Sequence, residues 1–122
     1  MATINPTIER SGDGSIMYVT YEALTTTNAD GAPIRFDEWA DRSVQFVGTW
    51  GTGGTVKWQG SNDGATWVDL TDPQGNAISK GANSLEAVLE ITRYARPFVS
   101  AGDGSTDVDV FVLLRRDNPM RT

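Results

Sequence analysis

Apolar and polar residues alternate with a period of two in several short runs of this chain. Met17, Val19, Tyr21 and Ala23 alternate with Tyr18, Thr20 and Glu22, the pattern of a strand with one apolar face. Val44, Phe46, Gly48 and Trp50 share one face of a second run. In a third, Val56 and Trp58 point one way while Lys57 and Gln59 point the other. Trp67, Val68 and Leu70 give a further strand with Asp69 as its polar interruption. Residues 93–100 (RYARPFVS) read as a strand, which Pro97 would confine to an edge or a bulge. Residues 107–114 are the clearest strand. Val108, Val110, Val112 and Leu114 face inward, and Asp107, Asp109, Phe111 and Leu113 face out. A sandwich strand should have one wet face. Two large apolar groups on that face imply a cover supplied by a partner or by the chain's own N-terminal arm.

Between the runs lie turn signals. Asp-Gly occurs at 13–14, 30–31, 63–64 and 103–104, and it favours tight turns because glycine takes positive φ without steric cost. Residues 25–33, 51–54 (GTGG) and 71–76 are further loops or turns, with Pro73 fixing φ in the last. GTGG lacks the Lys-Ser/Thr of a phosphate loop and reads as a β-turn. Residues 34–39 are ambiguous: Ile34 and Phe36 alternate before the run turns polar, which fits a short strand ending in a helical turn, with Trp39 expected to be packed rather than exposed. Residues 83–89 are the best helix candidate, because Asn83 and Glu86 have capping-box spacing. Leu85, Ala87, Leu89 and Ile91 also fit a strand, and a single helical turn or irregular segment is the preferred reading.

Short strands between frequent turns predict an all-β, antiparallel sandwich or barrel with at most one short helical turn. The 122 residues suit one domain. Residues 1–15 form an N-terminal arm or loose first strand, 16–116 the sandwich, and 117–122 a tail. The predicted core is Val19, Val44, Phe46, Trp50, Val56, Trp58, Val108, Val110, Val112 and Leu114.

Composition narrows the chemistry. The chain has no Cys and no His. That removes disulfides, thiolate nucleophiles and the commonest general base and metal ligand. The net charge is −6, which repels nucleic acid; the basic cluster Arg115-Arg116, with Arg121 beyond, reads as a solvated tail. No apolar run reaches the roughly 20 residues of a membrane helix, and no signal peptide is expected at the N-terminus. Acidic residues fall in separate turns, so no loop offers calcium spacing. A glycosidase would need two carboxyls roughly 5–9 Å apart in a cleft, and no long loops exist to build one. No catalytic residue, cofactor or metal site is expected. Trp50 and Trp58 lie in phase with core positions; Trp67 and Trp39 are the tryptophans whose exposure would matter for stacking on a glycan. Arg93, Arg96, Arg115 and Arg116 are candidates for pairing with acids of a neighbour.

The run VQFVGTWGTGGTVKWQGSNDGATWVDLTDPQGNAIS, followed by LEAVLEITRYARPFVSAGDGSTDVDVFVLL, resembles small virion proteins of tailed phages, namely capsid decoration or cement proteins built on β-sandwich or jelly-roll folds. The resemblance covers about residues 43–114 and rests on structural turns, none of them catalytic. It implies a jelly-roll-like sandwich on the outer capsid surface, made in the bacterial host cytoplasm. It further implies the major capsid protein as partner, self-association as a dimer or trimer, and no nucleic-acid or membrane partner. Contact candidates are Ile4, Pro6 and Ile8 in the arm, with Arg96, Phe111, Leu113 and Arg115. A carbohydrate- or receptor-binding module of a fibre or tail, and a tail or head–tail connector part, are the alternative roles.

Overall fold

The computed structural model describes residues 3–116. Ten strands, and no helix among the described residues, build two antiparallel sheets. The strands are β1 (Thr7–Arg10), β2 (Ile16–Leu24), β3 (Ile34–Arg35), β4 (Asp41–Thr49), β5 (Thr55–Ser61), β6 (Val68–Asp69), β7 (Ser79–Lys80), β8 (Ser84–Ala87), β9 (Tyr94–Ala101) and β10 (Asp107–Arg115). The first sheet has the order β1-β2-β10-β4-β8. The second has the order β3-β9-β5-β6, with β7 also pairing β5. From β2 to β5 successive strands swap sheets, and from β8 to β10 they do so again. This is the jelly-roll order expected for two nested Greek keys.

The inner faces meet in one core. Val19, Val44, Phe46, Val56, Trp58, Val108, Val110, Val112 and Leu114 are all buried, as the period-two pattern predicted. Trp50 differs. It sits just past β4, half-buried and packed against the edge of the core, with its indole Nε1–H donated to Asn83 Oδ1 at 2.9 Å. Trp39 is buried. The aromatic centre of the core is an edge-to-face pair, Phe36 against Trp58, with ring centroids 5.8 Å apart.

Four local expectations are corrected. Residues 83–89 form no helical turn: β8 pairs β4, with Val44 opposite Glu86 and Gln45 opposite Leu85. Asn83 caps no helix; its Oδ1 accepts the Gly48 N–H at 3.0 Å as well as the Trp50 indole. In β2 the apolar phase breaks before Ala23, and Leu24 is buried instead. Ala23 has φ 61°, and the β2/β10 register shifts between Val108 and Val110. The bulge is held by the Ala23 N–H donating to Asp109 Oδ1 at 2.9 Å. Third, β9 is not an edge strand. It lies between β3 and β5, with Pro97 opposite Trp58. Trp58 N–H donates away from β9, to Ile78 O, so this pair asks no hydrogen bond of Pro97. Last, the arm is not loose. Ile4 N–H donates to Asp30 O and Ile4 O accepts from Ala32 N–H, after which β1 pairs β2. The segment straps the two sheets along one side. Gly31 is needed there for close approach and not for a turn: a Cβ would lie 2.6 Å from the Tyr21 ring and 2.7 Å from Pro97. The tail at 117–122 lies outside the described residues.

The turns are fastened by aspartates. Hydrogen bonds from the Ser15 hydroxyl and N–H hold Asp13 down at about 2. Those from Thr52 N–H and from Ser105 do the same for Asp103, also to about 2. The N–H groups of Thr66 and Ala65 hold Asp63 lower still. These bonds need the folded turns, so folding depresses each pKa from 3.8. Their stabilisation is complete above about pH 4 and is lost as pH falls through the folded values. The melting temperature should therefore show no acid-induced loss from these groups down to about pH 4 and drop below it. Asp103→Asn should make that drop shallower in a thermal-melt series against pH.

Candidate docking face

The two outer faces differ in chemistry. On the second sheet the outward side chains form a charged lattice. Arg96 lies over the Trp67 ring at 4.4 Å and near Phe98 at 5.4 Å. It pairs with Asp30 at 3.8 Å, and its Nε–H donates to Gln59 Oε1 at 3.3 Å. Lys57 pairs with Asp69 at 3.2 Å. Burial pulls the Arg96 pKa below its ordinary value and Asp30 opposes the shift. Arg96 is thus held within its own sheet.

On the first sheet large apolar side chains stand among the polar outward ones. Cross-strand register places Phe111 between Thr20 and Gln45, and Leu113 between Tyr18 and Ser43. One strand further, Gln45 faces Leu85 and Ser43 faces Ala87. Tyr18, Leu85, Phe111 and Leu113 are 48%, 62%, 39% and 44% exposed. Together with Glu9, Thr20, Ser43 and Gln45 they line a shallow depression of about 460 Å³. A second depression, of about 340 Å³, continues past Tyr18 and Leu113 to Ile16, Asp41 and Arg115. Arg115 Nη2 lies 2.6 Å from Asp41 Oδ2 and forms a rim to the patch.

The sequence-derived contact residues therefore divide. Phe111, Leu113 and Arg115 share this face. Arg96 lies on the opposite sheet. Ile4 packs against the core, Pro6 is half-buried, and Ile8 is exposed on edge strand β1, opposite Val19. Arg116 stacks on Trp39 at 4.5 Å and reaches Glu38 at 3.3 Å; Arg93 lies 5.3 Å over Tyr94. Each of these four arginines has a partner within its own chain. Tyr18 and Leu85 were missed as face residues. Tyr18 has the parity of an outward residue in β2, but only the register with β10 puts it beside Leu113. Leu85 was hidden by the helical reading of its segment.

Among the described residues of this face no side chains converge as a catalytic set. The GTGG turn offers no anion cradle, because Thr52 N–H already donates to Asp103 Oδ2 at 2.8 Å. Among the described residues no three acidic side chains cluster as metal ligands. Among the described residues Arg42 is the one buried cation. Its guanidinium donates to the carbonyls of Trp39, Val88 and Leu89 at 3.3–3.4 Å and lies 5.1 Å from the Phe36 ring. It ties the chain after β8 to β4, which is a structural task. No known protein family matches the chain, and a search of curated proteins finds none similar to it.

Proposed function

We propose that this chain is a non-enzymatic virion protein that decorates the outer surface of a tailed-phage capsid and cements the shell. The single observation behind the reading is the apolar patch of Tyr18, Leu85, Phe111 and Leu113 on the outer face of the first sheet. A sandwich strand whose inner face already fills the core has no folding reason to carry Phe111 and Leu113 outside. Exposed apolar patches of this kind mark interaction surfaces. Burying Tyr18, Leu85, Phe111 and Leu113 against the major capsid protein removes apolar area from water at about 25 cal/mol per Å². A protein that binds only the assembled lattice stabilises that lattice by mass action. The resemblance over residues 43–114 supplies the capsid as partner, the virion exterior as location and the host cytoplasm as place of synthesis.

Glycan stacking finds less support. It needs at least two tryptophans side by side at the surface. Trp39 and Trp58 are buried, Trp50 is half-buried with its indole on Asn83, and Trp67 lies under Arg96.

The test is a heating series on capsids with and without the purified chain. Cementing predicts a higher rupture temperature once the protein is bound. An unchanged rupture temperature removes the mechanism. Copy number per particle on the scale of the tail, instead of the shell, assigns the chain to the tail or connector.

A further inference from the structure

A second surface lies at the β8 edge of the first sheet, and its patterning is reversed. From Ser84 to Thr92 the inward positions are Ser84, Glu86, Val88, Glu90 and Thr92, and the outward ones are Leu85, Ala87, Leu89 and Ile91. Leu89 and Ile91 are 52% and 64% exposed. The polar members are neutralised inside: Glu86 meets Lys80 at 2.7 Å, and Glu90 accepts the N–H and hydroxyl of Thr71. A chain of net charge −6 thus turns both carboxylates of this segment away from the edge and leaves leucine, alanine and isoleucine facing out.

The backbone of the edge is open at Leu85 and Ala87, whereas Leu89 N–H donates to Thr71 O at 2.8 Å within the chain. Val88 N–H donates to Arg42 O, which makes Arg42 and Val88 a hydrogen-bonded pair. Antiparallel alternation then gives the same role to Val44/Glu86 and Phe46/Ser84, and it directs the N–H and C=O of Leu85 and Ala87 off the sheet. Other edges among the described residues are guarded as edges usually are. Strand β1 exposes Glu9 and Arg10. Strands β3, β6 and β7 are two residues long and carry Arg35, Asp69 and Lys80. Strand β8 has neither an outward charge nor a proline.

We infer that β8 pairs with β8 of a second copy of this chain, antiparallel across a two-fold axis, to make one continuous sheet from two sandwiches. A second copy fits where a charged partner does not. The edge presents no charge to match, and an uncharged apolar strand is complementary to itself under two-fold symmetry. The register that satisfies the outward groups of Leu85 in one copy with those of Ala87 in the other places Glu86 on the axis. The two Glu86 side chains then face each other, and the Lys80 beside each one offsets their repulsion. The inference does not depend on the capsid reading, because it concerns the free protein.

The experiment is sedimentation of the free chain, with amide exchange read at Leu85 and Ala87. The expected species has twice the 13.2 kDa chain mass, with both amides protected in a concentration-dependent way. Ala87→Pro removes an outward N–H without touching the β4 ladder. It should yield a folded monomer, with dimerisation weakened by about tenfold or more. Leu85→Lys, at an exposed position, provides the same readout should the proline variant fail to fold. Lys80→Gln should weaken the dimer several-fold, and adding Glu86→Gln should restore it. A monomeric wild type overturns the inference. So does a trimer, because two antiparallel edges that satisfy each other leave none for a third copy. A dimer untouched by folded Ala87→Pro or Leu85→Lys overturns it too. Capsid cementing is read separately by rupture temperature, so either idea can fail alone.

Discussion

Trp58→Ala should lower the stability of the domain by about 3–5 kcal/mol. Against a total of about 5–15 kcal/mol for a domain of this kind, that leaves the variant marginal. Trp58 is completely buried at the centre of β5 and packs edge-to-face on Phe36 from the segment after β3. Its backbone is fixed on the far side by Ile78 and Leu70, whose carbonyl and N–H bond the Trp58 N–H and carbonyl at 3.1 and 2.9 Å. The strand cannot slide inward to fill the hole, so the cavity persists. Trp58→Phe should cost much less, about 1–2 kcal/mol, because the indole Nε1–H has no acceptor among the described residues and its desolvation penalty leaves with it. Chemical denaturation of both variants checks the size and the order of the two effects. Equal losses would mean that the ring's volume is not what holds the sheets together.

Phe111→Thr combined with Leu113→Thr should do the opposite: little to folding and much to docking. Both side chains lie outward on β10, the middle strand of its sheet, and threonine suits an exposed strand position. The stability change should stay below about 1 kcal/mol. Docking should weaken by roughly 100-fold or more, as expected if each truncated anchor is worth about 1.5–2 kcal/mol. Co-sedimentation of the variant with capsids, beside a thermal melt of the free protein, separates the two effects. Full retention of binding would move the docking surface off this face.

The long strands were legible because burial imposes a strict period. Apart from Arg42, the inward positions of β2, β4, β5 and β10 are apolar, and parity alone placed Val44, Phe46, Trp58 and Val112. The same rule exposed Phe111 and Leu113 as large apolar groups on the wrong side. What escaped depends on residues distant in sequence. Glu86 occupies an inward position in β8 only because Lys80 comes round to meet it. Read alone, LEAVLE satisfies helical and strand periods equally. The Ala23 bulge needs Asp109, 86 positions later. Pro97 looked like an edge marker because a sequence does not show which way a partner's N–H points. Arg96 and Arg115 looked available for a neighbour because Asp30 and Asp41 are distant along the chain. The face became a candidate site only when register brought β2 beside β10 and placed β8 one strand further, beyond β4.

The strand latest in sequence among the described residues fills the middle of a sheet. β10 lies between β2 and β4, with Val112 opposite both Val19 and Val44. Until residues 107–115 emerge, the first sheet is two separated pairs of strands with a gap where its most apolar member belongs. Folding of the first sheet therefore waits until residues 107–115 are made, and its non-local pairing makes it slow. During that interval the nascent chain displays unpaired strand edges, a hazard that grows with the number of copies being made. A chain truncated before Asp107 would lose the seam of the sheet and should accumulate as insoluble material.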